Sequence, residues 1–169
     1  MDEVKLTAPG LRLRAWHDDD APAVLAALAD PAIDRWNGQG VTDLARALDW
    51  VQWRADRSSG TRLSLAVTDD AGALLGAVSL NEIRGGNASI GYWTVAEARG
   101  RGVALRAVTV LTAWGFREHG LHRIELCTRW PTLPRAASPS APAMPWRAPC
   151  ASRTSTATAT DTTNTYTPA

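Results

Sequence analysis

The sequence predicts an α/β fold, a mixed central β-sheet flanked by helices, and three observations carry the prediction. Short segments with an apolar period of two recur along the chain. A glycine-rich loop leads from one of them into a long amphipathic segment, and a further two-period segment follows. A helix between strands implies a crossover to a parallel neighbour, while the tight turns upstream imply hairpins, so the sheet is mixed. The order read along the chain is β-α-α-β-β-β-α-β.

Leu11-Arg12-Leu13-Arg14-Ala15-Trp16 alternates apolar and polar residues and predicts a half-buried strand. Asp18, Asp19 and Asp20 offer an N-cap and a negative first turn, and Pro22 suits an early helical position. The helix runs through Val24, Leu25 and Leu28 and is expected to end at Asp30-Pro31, because a residue before proline avoids helical ψ. Thr42 is the expected cap of a second helix carrying Leu44, Leu48 and Val51 on one face, and Ser58-Ser59-Gly60 stops it. Strands are predicted over 62–68 and 73–80, joined through Asp69-Asp70-Ala71-Gly72, and over 88–95 after the turn Arg84-Gly85-Gly86-Asn87. The helix after the glycine-rich loop can bury Val103, Ala107, Val108, Leu111, Trp114 and Phe116 before Gly120 stops it. A last strand over 122–127 places Ile124 and Leu126 on one face.

The chain has 169 residues, enough for one domain with a sizeable core, and its formal net charge is +1. That balance gives no electrostatic case for a nucleic-acid or membrane partner. No apolar run approaches a membrane span and the acidic start Met1-Asp2-Glu3 is unlike a signal peptide, so the expectation is cytoplasmic. Cys127 and Cys150 make neither a disulfide framework nor a zinc site, and the spacing of His119, His122 and Cys127 fits no standard ligand set. No metal is expected.

Composition breaks near Cys127. Residues 1–126 hold 14 Lys+Arg and 16 Asp+Glu, whereas residues 127–169 hold 4 Arg, one acid and seven of the ten prolines. Stretches such as Ser155-Thr156-Ala157-Thr158 have no apolar period and too little apolar surface to offset their ordering entropy. The expected organisation is a domain over 1–127 and a disordered Pro/Thr/Ala-rich tail over 128–169.

Arg99-Gly100-Arg101-Gly102-Val103-Ala104 is the segment that carries chemistry. It sits where a strand gives way to a helix, whose first N–H groups are unpaired and whose dipole favours an anion. Glycine lets the backbone approach closely, and Gly102 is where a bulky side chain would block the anion. Arg99 and Arg101 add positive charge. The lysine and Ser/Thr of a nucleotide P-loop and the G-x-G-x-x-G fingerprint are absent.

Arg99, Gly102 and Ala104 fit the pattern Gln/Arg-x-x-Gly-x-Gly/Ala, and the block resembles the GNAT superfamily of N-acetyltransferases. Ile90-Gly91-Tyr92-Trp93-Thr94-Val95 looks like that family's fourth strand and Leu121-His122-Arg123-Ile124-Glu125-Leu126 like its fifth. With the upstream element order, the resemblance covers about residues 8–127 and is nearest the branch that acetylates ribosomal-protein N-termini and small amines. It implies a GNAT-type sheet whose fourth and fifth strands splay apart, and acetyl-coenzyme A as co-substrate. Main-chain groups of Trp93, Thr94 and Val95 would contact pantetheine, and Gly100, Arg101, Gly102, Val103, Ala104 and Leu105 would hold the pyrophosphate beside Arg99. A neutral amine would attack the thioester directly, a strand N–H would stabilise the oxyanion, and a carboxylate would take the ammonium proton. Glu82, at the end of the third strand of the family pattern, is the best-placed base, with Glu125 behind it. Ser89 and Tyr92 read as packing or hydrogen-bonding residues. Trp16, Trp36, Trp50 and Trp53 could line an acceptor pocket, although Trp50 and Trp53, on a helix, read as packing.

The family continues past its fifth strand with Asn-x-x-Ser, a fourth helix and two more strands. Residues 128–169 contain none of these, so the fold is expected to lack that helix and the last two strands. Another frame of the tail can be read to contain the Asn-x-x-Ser and a helix of the right length. If one base is lost just after the Cys127 codon position, free choice of wobble bases alone lets the tail read HAVANPAS-R-RVAERAGYALEGTLRES, with Asn-Pro-Ala-Ser and an Ala-Gly-Tyr turn. The tail is therefore expected to be out of frame, and Tyr166 has no assigned role.

The expected function is transfer of acetyl from acetyl-coenzyme A to a primary amine, a protein N-terminus or a small molecule, by an acyltransferase whose activity in this form is in question. The alternative is a non-catalytic acyl-coenzyme A-binding module or inactive remnant. A nucleic-acid-binding use of Arg99, Arg101 and Arg106 is disfavoured by net charge and by the lack of an aromatic-basic surface pattern.

Overall fold

In a computed structural model, residues 4–37 and 40–126 are described. The expectations about the tail, its order and its missing elements lie outside them. Six strands form one sheet in sequence order: β1 (Leu6–Ala8), β2 (Leu11–Arg14), β3 (Leu63–Thr68), β4 (Leu74–Arg84), β5 (Asn87–Thr94) and β6 (Arg123–Leu126). All neighbours are antiparallel except β5 and β6, which are parallel because the chain returns through helix α4 (Val103–Arg117). The mixed α/β sheet is the one the periodicity predicts.

The structure differs from the sequence reading at four points. β1 pairs with β2 through a turn at Pro9-Gly10, where Gly10 has φ +68°. Asp30-Pro31 ends one helix and starts another: α1 (Ala21–Leu28) stops, and α2 (Pro31–Asn37) begins at the proline. The physical reason is that Asp30 caps the new helix, its carboxylate accepting the Ala32 N–H at 2.8 Å. The cap of α3 (Leu44–Ala55) is Asp43 rather than Thr42: Asp43 accepts the Arg46 N–H at 2.9 Å, and the Thr42 hydroxyl donates to Asp43. Asp20 is not a surface first-turn charge. It is buried and accepts hydrogen bonds from Nη1 and Nη2 of Arg14, each at 2.7 Å, and from the His17 N–H at 2.9 Å.

The sheet has a core on each face. On one face Leu65, Val78, Leu80 and Ile90 pack against Val103, Ala107 and Leu111 of α4. Gly115 brings α4 close to the sheet, since a Cβ there would stand 3.1–3.5 Å from Leu121, Ile124 and Leu80. On the other face Ala66, Ala77 and Trp93 pack under α1 and α3, with Trp16, Val24, Trp50 and Val51. The three tryptophans form one cluster: Trp16 meets Trp50 edge-on at 5.2 Å and lies over Trp93 at 6.5 Å. Each buried indole N–H of the pair Trp16 and Trp50 is satisfied, by Ser64 Oγ at 3.0 Å and the Asn37 carbonyl at 3.1 Å.

Candidate active site

The loop and helix start that the sequence singles out are built by two left-handed glycines. Gly100 has φ +72°, and Gly102, the N-cap of α4, has φ +69° and no side-chain cap. The first bond of the helix runs from the Arg106 N–H to the Gly102 carbonyl at 3.1 Å. Val103, Ala104 and Leu105 therefore have no carbonyl four residues behind them inside α4, and their N–H groups face the loop. The glycines are needed for their backbone angles: a Cβ at Gly100 would meet nothing within 4 Å, and at Gly102 only the Arg106 guanidinium at 3.4 Å.

Two arginines shape the loop from either side. Arg99 forms an ion pair with Asp30. Arg106 reaches back from α4 and donates to the Arg101 carbonyl at 3.0 Å, with its Nε buried and unpaired. Neither projects as a free basic side chain in the way a nucleic-acid surface would use it. Sequence reasoning gave Arg106 no part in the loop, because only the fold shows that one helical turn returns it there. Beside the loop, a mostly apolar cavity of about 300 Å³ is lined by residues that include Ala27, Asp30, Ile33, Val95 and Glu97.

The edge of β5 is the second part of the site. Pairing with β6 runs from Asn87↔Arg123 to Ile90↔Leu126, and among the described residues no strand pairs with that side of β5 beyond Ile90. On the other side, Val95 N–H donates to the Leu75 carbonyl at 3.0 Å, and Ala77 faces Trp93. Antiparallel bonds alternate, so the N–H and C=O of Trp93 turn to β4 while those of Tyr92 and Thr94 turn to the open edge. The Val95 carbonyl accepts the Ala98 N–H at 3.0 Å. Of Trp93, Thr94 and Val95, only Thr94 thus has main-chain groups aimed at the open edge, and Tyr92 joins it. Trp93 contributes its indole to the aromatic cluster, whereas the Tyr92 side chain is 43% exposed.

A row of polar side chains crosses the sheet on the face of α1 and α3, level with the end of the β5–β6 pairing. Asn81 Nδ2 donates to Ser79 Oγ at 3.1 Å, and Ser89 Oγ donates to the Asn81 carbonyl at 3.4 Å. A Cβ at Gly91 would stand 3.5 Å from Ser79 Oγ and 3.6 Å from Asn81 Nδ2, so the glycine leaves this corner open. Glu125, paired with Ser89 in register, is held by Arg123 at 2.6 Å. Glu82 is exposed in the irregularity of β4 between Asn81 and Arg84, with φ +53°, the one non-glycine positive φ among the described residues. It lies near the Ser89 end of β5, five residues or about 17 Å of strand from Thr94 and the loop.

Of the tryptophans considered for an acceptor pocket, Trp16 and Trp50 are core residues. Trp53 is 45% exposed and, with Trp50, lines a cleft of about 250 Å³ alongside Gly40, Val41, Arg46 and Asp49. The described residues contain no group of three His, Cys, Asp or Glu side chains placed to hold a metal ion. No described helix is long and apolar enough to cross a membrane.

A family model described as an acetyltransferase (GNAT) domain matches residues 10–131. No curated protein sequence matches the chain. Among solved structures, a Vibrio cholerae protein assigned as a ribosomal-protein-serine acetyltransferase is similar at TM-score 0.68 and 20% identity, over 76% of each chain. RimJ of Mycobacterium smegmatis, in complex with coenzyme A disulfide, is similar at 0.64 and 22% identity, over 77% of this chain and 68% of that one. A ribosomal-protein-S5-alanine acetyltransferase of Vibrio fischeri is similar at 0.61 and 20%, over 73% of each.

Proposed function

The chain belongs to the GNAT family of acetyltransferases, and on that premise we propose that it is built to transfer acetyl from acetyl-coenzyme A to a primary amine, a protein N-terminus or a small molecule. The observation that supports this most is the pairing of an open strand edge with an uncapped helix start. Tyr92 and Thr94 offer main-chain groups along β5, and Val103, Ala104 and Leu105 offer N–H groups beyond Gly102. One set suits the amides of a pantetheine arm and the other a pyrophosphate. Arg99, Gly100 and Arg101 complete the cradle, with Arg99 positioned by Asp30 and the Arg101 carbonyl held by Arg106. Trp93 and Val95 support the edge from behind through their bonds to β4 and to the following turn. Acetyl-coenzyme A, when bound, supplies the activated acyl group.

Glu82 is the proposed general base. A non-glycine residue at φ +53° costs roughly 1–3 kcal/mol, and strain of this kind concentrates at functional sites. Glu125 is less suited because Arg123 holds its carboxylate. Calorimetric titration with acetyl-coenzyme A, paired with a thiol-release assay on amine acceptors, tests the reading. Binding with turnover is the expected result for an intact enzyme. Binding without turnover leaves an acyl-coenzyme A-binding module, and no binding at all leaves a remnant.

The tail bears on which result this chain gives. We propose that residues 128–169 are translated out of frame from the Cys127 codon, because the codons of these residues permit, in the alternative frame, Asn-Pro-Ala-Ser and the Ala-Gly-Tyr turn at the place where the family has them. The restored chain is the enzyme, and the present one binds the co-substrate with weakened affinity and turns over little.

A further inference from the structure

Arg54 and Arg62 lie outside everything assigned above. The guanidinium of Arg62 sits 3.6 Å from the centre of the Trp53 ring and donates to the Trp53 carbonyl at 2.6 Å. That of Arg54 lies between two rings, 4.8 Å from Trp50 and 5.0 Å from Trp53. Both Nε atoms are buried without a partner. Among the described residues, neither guanidinium has a carboxylate within ion-pair distance. Asp56, whose carboxyl is held low first by its hydrogen bonds to Ser58 and last by the charge of Arg62, is exposed and accepts the Ser58 N–H at 2.9 Å. Burial, and then the charge of Arg62, push the Arg54 pKa down to about 10. Two like charges held together in a partly desolvated aromatic frame are costly unless something anionic completes them.

Their place in the fold says what that anion belongs to. Arg62 immediately precedes Leu63, whose partner in β4 is Leu80. It therefore stands beside Asn81, and Asn81 faces Ser89. Its contact with Trp53 of α3 puts it on the face of the polar row Ser79, Asn81 and Ser89 rather than on the face of α4. Two strand spacings, about 10 Å, separate it from the corner at Ser89 and Gly91 where the β5–β6 pairing ends. A short amine and a long arginine side chain span that distance together.

We propose that Arg54 and Arg62 form an anion-binding subsite for the acceptor, so that the amine acetylated here carries a carboxylate or phosphate group. The inference rests on the acetyltransferase reading for the role of the amine, and on the two guanidiniums alone for the anion. A planar guanidinium backed by an indole presents its free N–H groups in the fork that carboxylates and phosphates accept.

The test is equilibrium binding to the full chain, followed by tryptophan fluorescence, since Trp53 carries the Arg62 guanidinium. O-phosphoethanolamine, β-alanine and ethanolamine, which carries the amine without an anionic group, are the probes, with inorganic phosphate alone as a fourth. The expected result is that O-phosphoethanolamine or β-alanine binds about tenfold or more tightly than ethanolamine, and the better of the two identifies the anion. Arg54→Gln and Arg62→Gln should each abolish that preference while circular dichroism is unchanged. If Arg62→Gln loses structure through its bond to the Trp53 carbonyl, Arg54→Gln, which breaks no such bond, decides. Equal binding of all three amines overturns the inference, as does a preference that survives Arg54→Gln. Acetyl-coenzyme A binding is measured separately by calorimetry. If it fails while the anion preference persists, the acetyltransferase reading falls and the subsite stands. If it succeeds without an anion preference, the subsite alone falls.

Discussion

Asp30 receives the Arg99 guanidinium on one carboxylate oxygen while its other oxygen caps the first turn of α2. The Ala32 N–H, and then Arg99, hold its carboxyl below the usual carboxylate range. The start of the glycine-rich loop over 99–104 is thereby tied to the junction of α1 and α2. An ion pair this exposed contributes little to global stability, so its consequence is positional. Arg99→Gln and Asp30→Asn should both keep thermal midpoints close to that of the parent and both weaken coenzyme A binding by calorimetry, by about three- to tenfold. The Asp30 variant is the informative one. If Arg99 acted only as a free charge, releasing it from Asp30 would tighten binding instead.

Glu82 predicts an exchange of stability against chemistry. Its φ of +53° is one that glycine adopts without strain. Glu82→Gly should therefore raise stability by about 1 kcal/mol in urea unfolding, or at worst leave it unchanged after the entropic loss. In an active form of the protein, Glu82→Gln should reduce kcat by roughly a hundredfold or more and leave coenzyme A affinity alone. A Glu82→Gln enzyme with unchanged kcat across pH would remove Glu82 as the base and turn attention to Glu125.

The buried pair of Arg14 and Asp20 sets an acid limit on the fold. Burial pushes the Asp20 carboxyl up, but Arg14 and the His17 N–H override it and hold the carboxyl below its ordinary value. A carboxylate lowered in the folded state stabilises fully above the unfolded pKa of about 3.9, and that contribution is lost as pH falls through this range toward the folded value. Urea midpoints should stay level from neutral pH to about 5 and drop below about 4. Asp20→Asn, which leaves the Arg14 charge unmatched, should cost about 2–3 kcal/mol at pH 7 and flatten the acid slope. A slope equal to that of the parent would show that other carboxylates set the limit.

The parts of this site that follow from local rules were legible in the sequence. A glycine-rich step from strand to helix needs no tertiary knowledge, and Gly100 and Gly102 adopt the backbone angles such a loop requires. Gly85 and Gly86 both have positive φ in the two-residue β4–β5 turn, as a type I′ hairpin demands. Asp30-Pro31 was ambiguous by nature, since the same dipeptide stops one helix and caps the next. The Pro9-Gly10 turn carried the signal for β1 but flanks only three residues of strand. Which main-chain groups of β5 face the open edge depended on a one-residue phase that only the bond from Val95 to Leu75 fixes. Arg54 and Arg62 were illegible for a different reason. Eight positions apart on a helix end and a strand start, they meet only because α3 lies over β3, and no periodicity marks them.

Residues 128–169 differ from the family pattern in a way the gene can decide. Restoring Asn-Pro-Ala-Ser in the second frame leaves almost no freedom in the codons beneath it. Pro131 must be encoded by CCA to give Asn, and Thr132 by ACC with a CT-initial Leu133 codon to give Pro. Leu133 must end in G to give Ala, and Pro134 must be CCT before a CG-initial Arg135 codon to give Ser. A tail selected for its present amino acids has no reason to use that series. The expected gene therefore reads CCA-ACC-CTG-CCT-CG across these positions, and any other base at those wobble sites sinks the frame proposal. Reinserting one C at the Cys127 codon then makes a second, physical prediction. The sheet gains strands beside β6, the last strand in sheet order among the described residues, while β5 beyond Ile90 stays open to the pantetheine arm. Covering an open edge removes a template for association. The restored protein should stay monodisperse in size-exclusion chromatography and bind coenzyme A more tightly than the present chain. It should also release thiol with amine acceptors. A restored chain that neither binds better nor turns over would mean that the tail was never the missing part of the enzyme.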